Sequence, residues 1–304
     1  MFRVVFIVLL MFFGVSYAKP ITPLPTDIKV DERKAKLGKE LFFDSILSID
    51  NTISCSTCHD LQNGGDDGLK HSFGVNGKDG DINAPTVYNA VYNFRQQWSG
   101  EAKDLATQAY NPIKNPVEMG NNFKNLIKTM KKTPYKDKFE SIYDDGITKQ
   151  NIANAIAEYE KTLVTSNSPF DKYLRGDKTA ITKKQREGYE LFKSKGCIAC
   201  HHGINIGGNL YAKFGVMRNA NSKRLGRYEV TKREMDKYYF KVPTLRNISM
   251  TAPYLHDGRF KTMDEVVKFM SLYQLGHFIS QDEVDKIIAF FYSLKGEIPQ
   301  SAKR

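Results

Sequence analysis

Cysteine and tryptophan are scarce in this chain of 304 residues, which contains four cysteines and a single tryptophan. All four cysteines fall within two short motifs, so none is left for a disulfide framework elsewhere. After the N-terminus, no apolar run approaches the roughly 20 residues that a membrane-spanning helix needs, which argues against membrane insertion. Alternating apolar and polar residues, typical of half-buried strands, are also rare, and the sequence therefore predicts a mainly α fold.

The first 18 residues have the features of a secretory signal peptide. Arg3 precedes an apolar run over 4–13, and the segment SYA at 16–18 follows. We expect cleavage near Ala18 and export of a soluble protein. The alternative is an uncleaved anchor, but the apolar run is only about half as long as a bilayer-spanning helix.

The chain is basic, with a formal net charge of +11. A basic excess is one signature of nucleic-acid binding, but here Lys and Arg are interspersed with Asp and Glu. This distribution indicates a solvated surface, and no nucleic-acid partner is predicted. The excess could instead steer an acidic protein partner toward one face of the molecule.

One five-residue motif occurs twice, as CSTCH at 55–59 and CIACH at 197–201. In a CxxCH motif the two thiols add to the vinyl groups of haem and the histidine binds the iron, which is c-type attachment. The attachment residues are therefore Cys55, Cys58 and His59 in the first copy and Cys197, Cys200 and His201 in the second. Disulfides and a zinc site remain alternatives, but neither explains why each cysteine pair ends in a histidine.

Each motif belongs to a longer series of segments, and this series also occurs twice in the chain. GKELFF at 38–43 and GYELFK at 188–193 precede the motifs, while APTVYNAV from 84 and VPTLRNIS from 242 follow them. Trp98 stands 13 residues after Pro85, as His256 stands 13 residues after Pro243. We therefore predict two cytochrome c-like haem domains related by internal duplication, at 19–166 and 167–304, with long loops covering the haems.

Apolar spacing and capping residues predict several helices. The segment from 150 to 165 has an apolar face formed by Ile152, Ile156, Tyr159 and Leu163. Thr182 with Gln185, and Ser280 with Glu283, have the spacing of capping boxes. SNSPF at 166–170 has the composition of a linker between the two halves.

The sixth coordination position decides what a His-bound haem does, because methionine there favours electron transfer and an open position admits a substrate. Met270 is a candidate thioether ligand for the second haem, unless it only packs against Val266 and Val267. Glu118, in the loop PIKNPVEMG at 112–120, could transfer a proton between the oxygens of hydrogen peroxide, or be an ordinary exposed residue. Trp98 is either a large core residue or an aromatic group between the haems.

Taken together, six stretches resemble the bacterial di-haem cytochrome c peroxidases: ELFFDSILS, ISCSTCH, NAPTVYNAVYN, PVEMG, GCIACH and TAPYLHDGR. The resemblance implies a low-potential, peroxide-reducing haem in the N-terminal half and a high-potential haem, with Met270 as its sixth ligand, in the C-terminal half. It also implies that Glu118 is the catalytic carboxylate, that Gln108 is its polar neighbour and that Trp98 lies between the haems.

Further properties follow from the same resemblance. It implies a periplasmic homodimer that reduces hydrogen peroxide to water with electrons from a small donor cytochrome c. It also implies a calcium ion between the domains, bound by the side chain of Asn83 and the backbone carbonyls of Thr251 and Pro253. Oxygen ligands of this kind suit a hard cation.

One stretch departs from the family pattern. Many members hold a histidine over the resting peroxide-reducing iron, in a Gly-His-Gly context, whereas this chain has Val75 at that position. His71 is an alternative distal ligand if the loop is shifted. We expect instead a haem without a histidine cap, and therefore activity that depends less on prior reduction.

Two other functions compete with peroxide reduction. A related di-haem oxidase uses peroxide to modify tryptophan residues of another protein and has tyrosine as the sixth ligand, a role for which Tyr273 is the candidate here. A di-haem electron carrier or gas sensor would not need Glu118.

Overall fold

The computed structural model describes residues 19–303, so the expected signal peptide at 1–18 lies outside the described residues. In the N-terminal half the helices are α1 (Glu32–Phe43), α2 (Cys55–Cys58), α3 (Leu105–Lys114), α4 (Phe123–Met130), α5 (Tyr135–Glu140) and α6 (Lys149–Lys161). In the C-terminal half they are α7 (Pro169–Leu174), α8 (Lys183–Ser194), α9 (Tyr228–Thr231), α10 (Met263–Phe269) and α11 (Gln281–Tyr292). The predicted mainly α fold is confirmed.

The strands are short in the described part of the chain. β1 (Tyr211–Lys213) pairs antiparallel with β2 (Tyr239–Lys241), with Tyr211 opposite Lys241. Helices therefore supply most of the packing surfaces. Among residues 19–303, no helix is both long enough and apolar enough to cross a membrane.

Helices α1 and α6 cross closely in the N-terminal half. Asp31 caps α1 by accepting a hydrogen bond from the backbone N–H of Lys34, and Leu41 and Phe42 are fully buried. A Cβ at Gly38 would lie 1.8 Å from the backbone oxygen of Ala155 in α6, so only glycine permits this approach. Ile152 and Ile156 of α6 are buried as predicted.

Helices α8 and α11 cross in the same way in the C-terminal half. Both predicted capping boxes are present, Thr182 with Gln185 and Ser280 with Glu283. A Cβ at Gly188 would lie 1.9 Å from the backbone oxygen of Lys286. Gly38 of GKELFF and Gly188 of GYELFK thus each permit a close contact between two helices, one in each half.

The segment SNSPF at 166–170, which was predicted to be a linker, is partly helical. Ser168 caps α7 with Asp171 in a capping box, Pro169 is at the start of the helix, and Phe170 is fully buried. A serine followed by proline is a helix-start signal, and it outweighs the loop-forming composition of SNSPF.

The two ends of the described segment each pack on the opposite half. Ile21 belongs to the core that contains Phe170 and Phe290, whereas Ala302 packs with Phe42 and Tyr159. A buried ion pair reinforces this arrangement, because Arg246 donates to Asp171 and to the backbone oxygen of Thr22. These contacts at both ends of the described segment connect the two halves and help to hold the sites in position.

Candidate functional site

The first CxxCH motif forms helix α2, capped by Ser54. Nδ1 of His59 lies 3.1 Å from the backbone oxygen of Gly65. This contact assigns the proton to Nδ1 and leaves Nε2 with the lone pair that a metal requires. Burial lowers the pKa of His59, so the ring is neutral at physiological pH and able to bind iron.

The second motif begins with Gly196 in the left-handed region, at φ 91°, and continues as a 3₁₀ turn at Cys197–Ala199. Burial lowers the pKa of His201 to about 4, although the backbone near Ile206 and Pro243 partly opposes the shift. Nδ1 of His201 is buried without a well-formed hydrogen bond. A neutral, buried imidazole is again suited to iron.

The cysteine and histidine residues of each motif line a separate cavity. Those of the first motif share a cavity, here called the N-terminal cavity, with Gln108, Glu118 and Trp98. Those of the second motif line the C-terminal cavity with Met270. Each cavity thus brings an attachment motif together with the distal residues proposed for it, and these donor sets fit covalently bound haem.

Trp98 lines both cavities, as do Asn83 and Pro85. Its indole N–H donates a 2.8 Å hydrogen bond to the backbone oxygen of Asn83, and its ring centroid lies 6.2 Å from that of His256. Trp98 therefore forms part of the wall between the cavities. This position agrees with the equivalence of Trp98 and His256 in the two repeats.

Glu118 is partly buried in the lining of the N-terminal cavity, and the preceding turn fixes its orientation. Asn115 donates a 2.7 Å hydrogen bond from Nδ2 to Oε1 of Glu118. Burial raises the pKa of Glu118, whereas this hydrogen bond lowers it by favouring the charged form. The net effect is a raised pKa, so the carboxyl group holds a proton more readily than an exposed glutamate does, which suits a general acid/base.

Met270 follows directly after α10 and begins a π-helical turn, Met270–Gln274. Val266 and Val267 also line the C-terminal cavity. The surface on which Met270 could pack against these valines is therefore the same surface that would face the haem. Tyr273 instead stacks on Phe269, with a centroid distance of 4.3 Å, and is outside the described lining of the cavity. This placement favours methionine over tyrosine as the sixth ligand.

The loop at 72–80 packs against the loop that carries Glu118. The N–H of Val75 donates a 2.8 Å hydrogen bond to the backbone oxygen of Glu118, and Nζ of Lys78 donates to that of Pro116. Val75 is buried. His71 is outside the described cavity lining, with Nδ1 3.9 Å from a carboxylate oxygen of Asp79.

The residues expected to bind calcium all line the C-terminal cavity: Asn83, Thr251 and Pro253. Nδ2 of Asn83 donates a 2.8 Å hydrogen bond to the backbone oxygen of Leu69, which leaves Oδ1 available for a cation. Within residues 19–303, no group of three or more His, Cys, Asp or Glu residues is placed so that it could hold a metal ion.

The two cavities differ in charge, which the sequence did not predict. Within the described residues, the N-terminal cavity is lined by one arginine, Arg224, and five carboxyl groups: Asp79, Asp81, Glu101, Glu118 and Glu160. The described lining of the C-terminal cavity contains three lysines, Lys195, Lys213 and Lys241, and no carboxyl group. Neither Asn115 nor Lys241 was predicted to be a site residue, although Asn115 lies within PIKNPVEMG and Lys241 directly precedes VPTLRNIS.

The sequence and the fold both resemble known di-haem proteins. A sequence profile of the di-haem cytochrome c peroxidase family matches residues 32–179. Cytochrome c peroxidase Ccp of Escherichia coli is 46% identical over 285 residues, which is 91% of this chain and 61% of the relative. This chain therefore spans less than two thirds of the length of that relative.

Cytochrome c551 peroxidase of Nitrosomonas europaea is 44% identical, over 92% of this chain and 85% of the relative. The crystal structure of a MauG-like protein associated with microbial copper homeostasis superposes with a TM-score of 0.79 and 23% identity, over 94% of this chain and 96% of that chain. At that identity the structural likeness shows the fold alone. The sequence matches establish that the chain belongs to the di-haem cytochrome c peroxidase family.

Proposed function

We propose that this protein reduces hydrogen peroxide at the N-terminal cavity with electrons that a small cytochrome c delivers to the C-terminal half. Two haem c groups, attached at the two CxxCH motifs, supply the redox chemistry when bound. One hydrogen peroxide, two protons and two electrons give two molecules of water. The names of the peroxidase relatives support this reaction.

The observation that carries the proposal is the presence of Glu118 and His59 in the lining of one cavity. Glu118 accepts a proton from one oxygen of the peroxide and returns it to the departing oxygen, which assists heterolysis of the O–O bond. Burial raises the pKa of Glu118, which makes its protonated form more accessible than that of an exposed glutamate. Gln108, from α3, supplies a polar side chain to the same cavity.

The two halves have different roles. Met270 would hold the iron of the C-terminal haem, and a thioether ligand would raise the reduction potential of that haem. Ionised carboxylates around the N-terminal cavity would favour the oxidised iron there, which supports a low-potential centre, whereas burial raises the pKa of Glu160 to about 8 and keeps that group mostly neutral. Trp98, which lines both cavities, provides an aromatic group on the path of the electrons from the C-terminal to the N-terminal half.

An internal duplication gives rise to these halves, with domains at 19–166 and 167–304. The support is the repeated glycine contact between paired helices, at Gly38 and at Gly188. Asn89 and Asn247 also adopt the same left-handed backbone conformation, at φ 60° and 61°, at equivalent places after the PT segments. We further propose export to the periplasm and assembly as a homodimer.

Calcium binds between the halves, with Oδ1 of Asn83 and the backbone oxygens of Thr251 and Pro253 as its protein ligands. Calorimetric titration of calcium into chelator-treated holoprotein tests this site. We expect saturable binding that is lost in Asn83→Ala, because alanine removes the side-chain ligand. Equal binding by both proteins would exclude the site.

We expect that no histidine other than His59 would hold the N-terminal haem iron, because Val75 is buried in the loop contact and His71 is outside the described cavity lining. Stopped-flow mixing of peroxide with fully oxidised and with half-reduced holoprotein tests both the activity and this state. Comparable rapid reaction in the two states is the expected result. Reaction only after half-reduction would indicate a displaceable ligand, and no reaction in either state would exclude the peroxidase.

A further inference from the structure

Lys241 is a buried cation that the proposed peroxide chemistry does not use. Only 5% of its surface is exposed, although lysine is almost never buried without a partner. Within residues 19–303 its Nζ forms no hydrogen bond, and no carboxylate oxygen lies within the 4.0 Å of an ion pair. Burial lowers its pKa to about 8, and Glu101 opposes the shift only from a greater distance.

The surroundings of Lys241 indicate what kind of group would neutralise it. The residue lines the C-terminal cavity, which also contains Cys197, Cys200 and His201. No carboxyl group belongs to the described lining of this cavity. An ammonium group in an apolar cavity is stabilised when an anion enters with it, and the anionic groups of haem c are its two propionates.

The position of Lys241 is fixed by the backbone. Its N–H donates a 2.8 Å hydrogen bond to the backbone oxygen of Trp98, and β2 holds it opposite Tyr211 of β1. Lys241 stands two residues before Pro243, as the proposed calcium ligand Asn83 stands two residues before Pro85. At this position one half thus has Asn83, a proposed ligand for a cation, whereas the other half has Lys241, whose own side chain is a cation.

We infer that Lys241 forms an ion pair with a propionate of the C-terminal haem and thereby raises the reduction potential of that haem. A fixed positive charge in a cavity of low dielectric favours the reduced iron, which carries one positive charge less than the oxidised iron. The inference rests on the proposed attachment of haem at the second CxxCH motif, and it makes Lys241 a residue that tunes the electron-accepting site.

A reductive titration of the purified holoprotein, followed by the haem spectra and without peroxide, tests the role of Lys241. In Lys241→Gln the C-terminal haem should bind its electron about tenfold less favourably, a fall of about 59 mV for a one-electron couple. Lys241→Arg should keep a potential near that of the wild type, because the charge is retained. Lys213→Gln is the matched control, since Lys213 lines the same cavity but is exposed to solvent.

An unchanged potential in Lys241→Gln, or an equal fall in Lys213→Gln, would overturn the inference. If Lys241→Gln does not retain its second haem, the haem content of Lys241→Arg becomes the deciding measurement. Two haems in Lys241→Arg support a role for the charge, whereas loss of haem from both variants shows that Lys241 acts through packing alone. Failure of the peroxidase proposal is distinguishable, because the titration requires no turnover and mass analysis of the wild type reports haem attachment at Cys197 and Cys200 separately.

Discussion

The amide of Asn115 donates a 2.7 Å hydrogen bond to the carboxylate of Glu118, three residues further along the chain. Asn115 also accepts the backbone N–H of Val117 through Oδ1 and that of Glu118 through its carbonyl oxygen. One asparagine therefore shapes the turn and partly offsets the rise in pKa that burial causes in the carboxyl group of Glu118.

Glu118→Gln should lower peroxidase turnover by at least about 100-fold, because a positioned general acid/base contributes about 10² to 10⁴ in rate. Glutamine fits the same space but cannot exchange a proton. Both haem spectra and both reduction potentials should remain near those of the wild type. The exposed Glu140→Gln is the control. Turnover that survives in Glu118→Gln would assign the proton transfer to another group.

Asn115→Ala should shift the acid limb of the pH–rate profile to higher pH. The hydrogen bond from Asn115 favours the charged carboxylate, so its loss raises the pKa of Glu118 further. Activity that needs the ionised form is then lost at a higher pH as the pH falls. Asn115→Asp should shift the limb further still, since it places a second carboxylate beside Glu118, while the exposed Asn63→Ala should not shift it. Superimposable profiles for all four proteins would refute the role of Asn115.

Met270→Ala should lower the potential of the C-terminal haem by more than about 59 mV, which is a tenfold change in the reduction equilibrium. Thioether ligation favours the reduced iron, and alanine removes it. The spectral features of methionine ligation should disappear in the same variant. Tyr273→Phe should change neither property, because Tyr273 stacks on Phe269 away from the cavity lining. The opposite pattern in these two variants would make tyrosine the ligand.

Gly188→Ala should destabilise the fold by about 1–3 kcal/mol, the usual range for an overpacked contact. The added methyl group would lie 1.9 Å from the backbone oxygen of Lys286, so α8 and α11 must separate. Urea unfolding of the holoprotein, followed by circular dichroism, measures the effect. Lys184→Ala, at an exposed site on the same helix, should be nearly neutral. Equal midpoints for the two variants would mean that the close helix contact is unimportant for stability.

Much of the fold was accessible from local patterns. The α6 helix was predicted because Ile152 and Ile156 recur at helical spacing, and the capping boxes at Thr182 and Ser280 lie within single turns. The segment SNSPF was misinterpreted because Ser168 and Pro169 form a helix start whose burial depends on a distant part of the chain. The backbone oxygen of Ser293, directly after α11, accepts a hydrogen bond from the N–H of Phe170.

The sequence by itself determined the two haem-attachment motifs, their repeated order and the identity of the distal candidates, because each of these is encoded in a few adjacent residues. Only the tertiary structure decided that Trp98 borders both cavities, that His71 is outside the described lining of the N-terminal cavity and that Lys241 is buried without an anion. Burial and charge balance depend on residues brought together from distant parts of the chain, and no short pattern records which of them will meet.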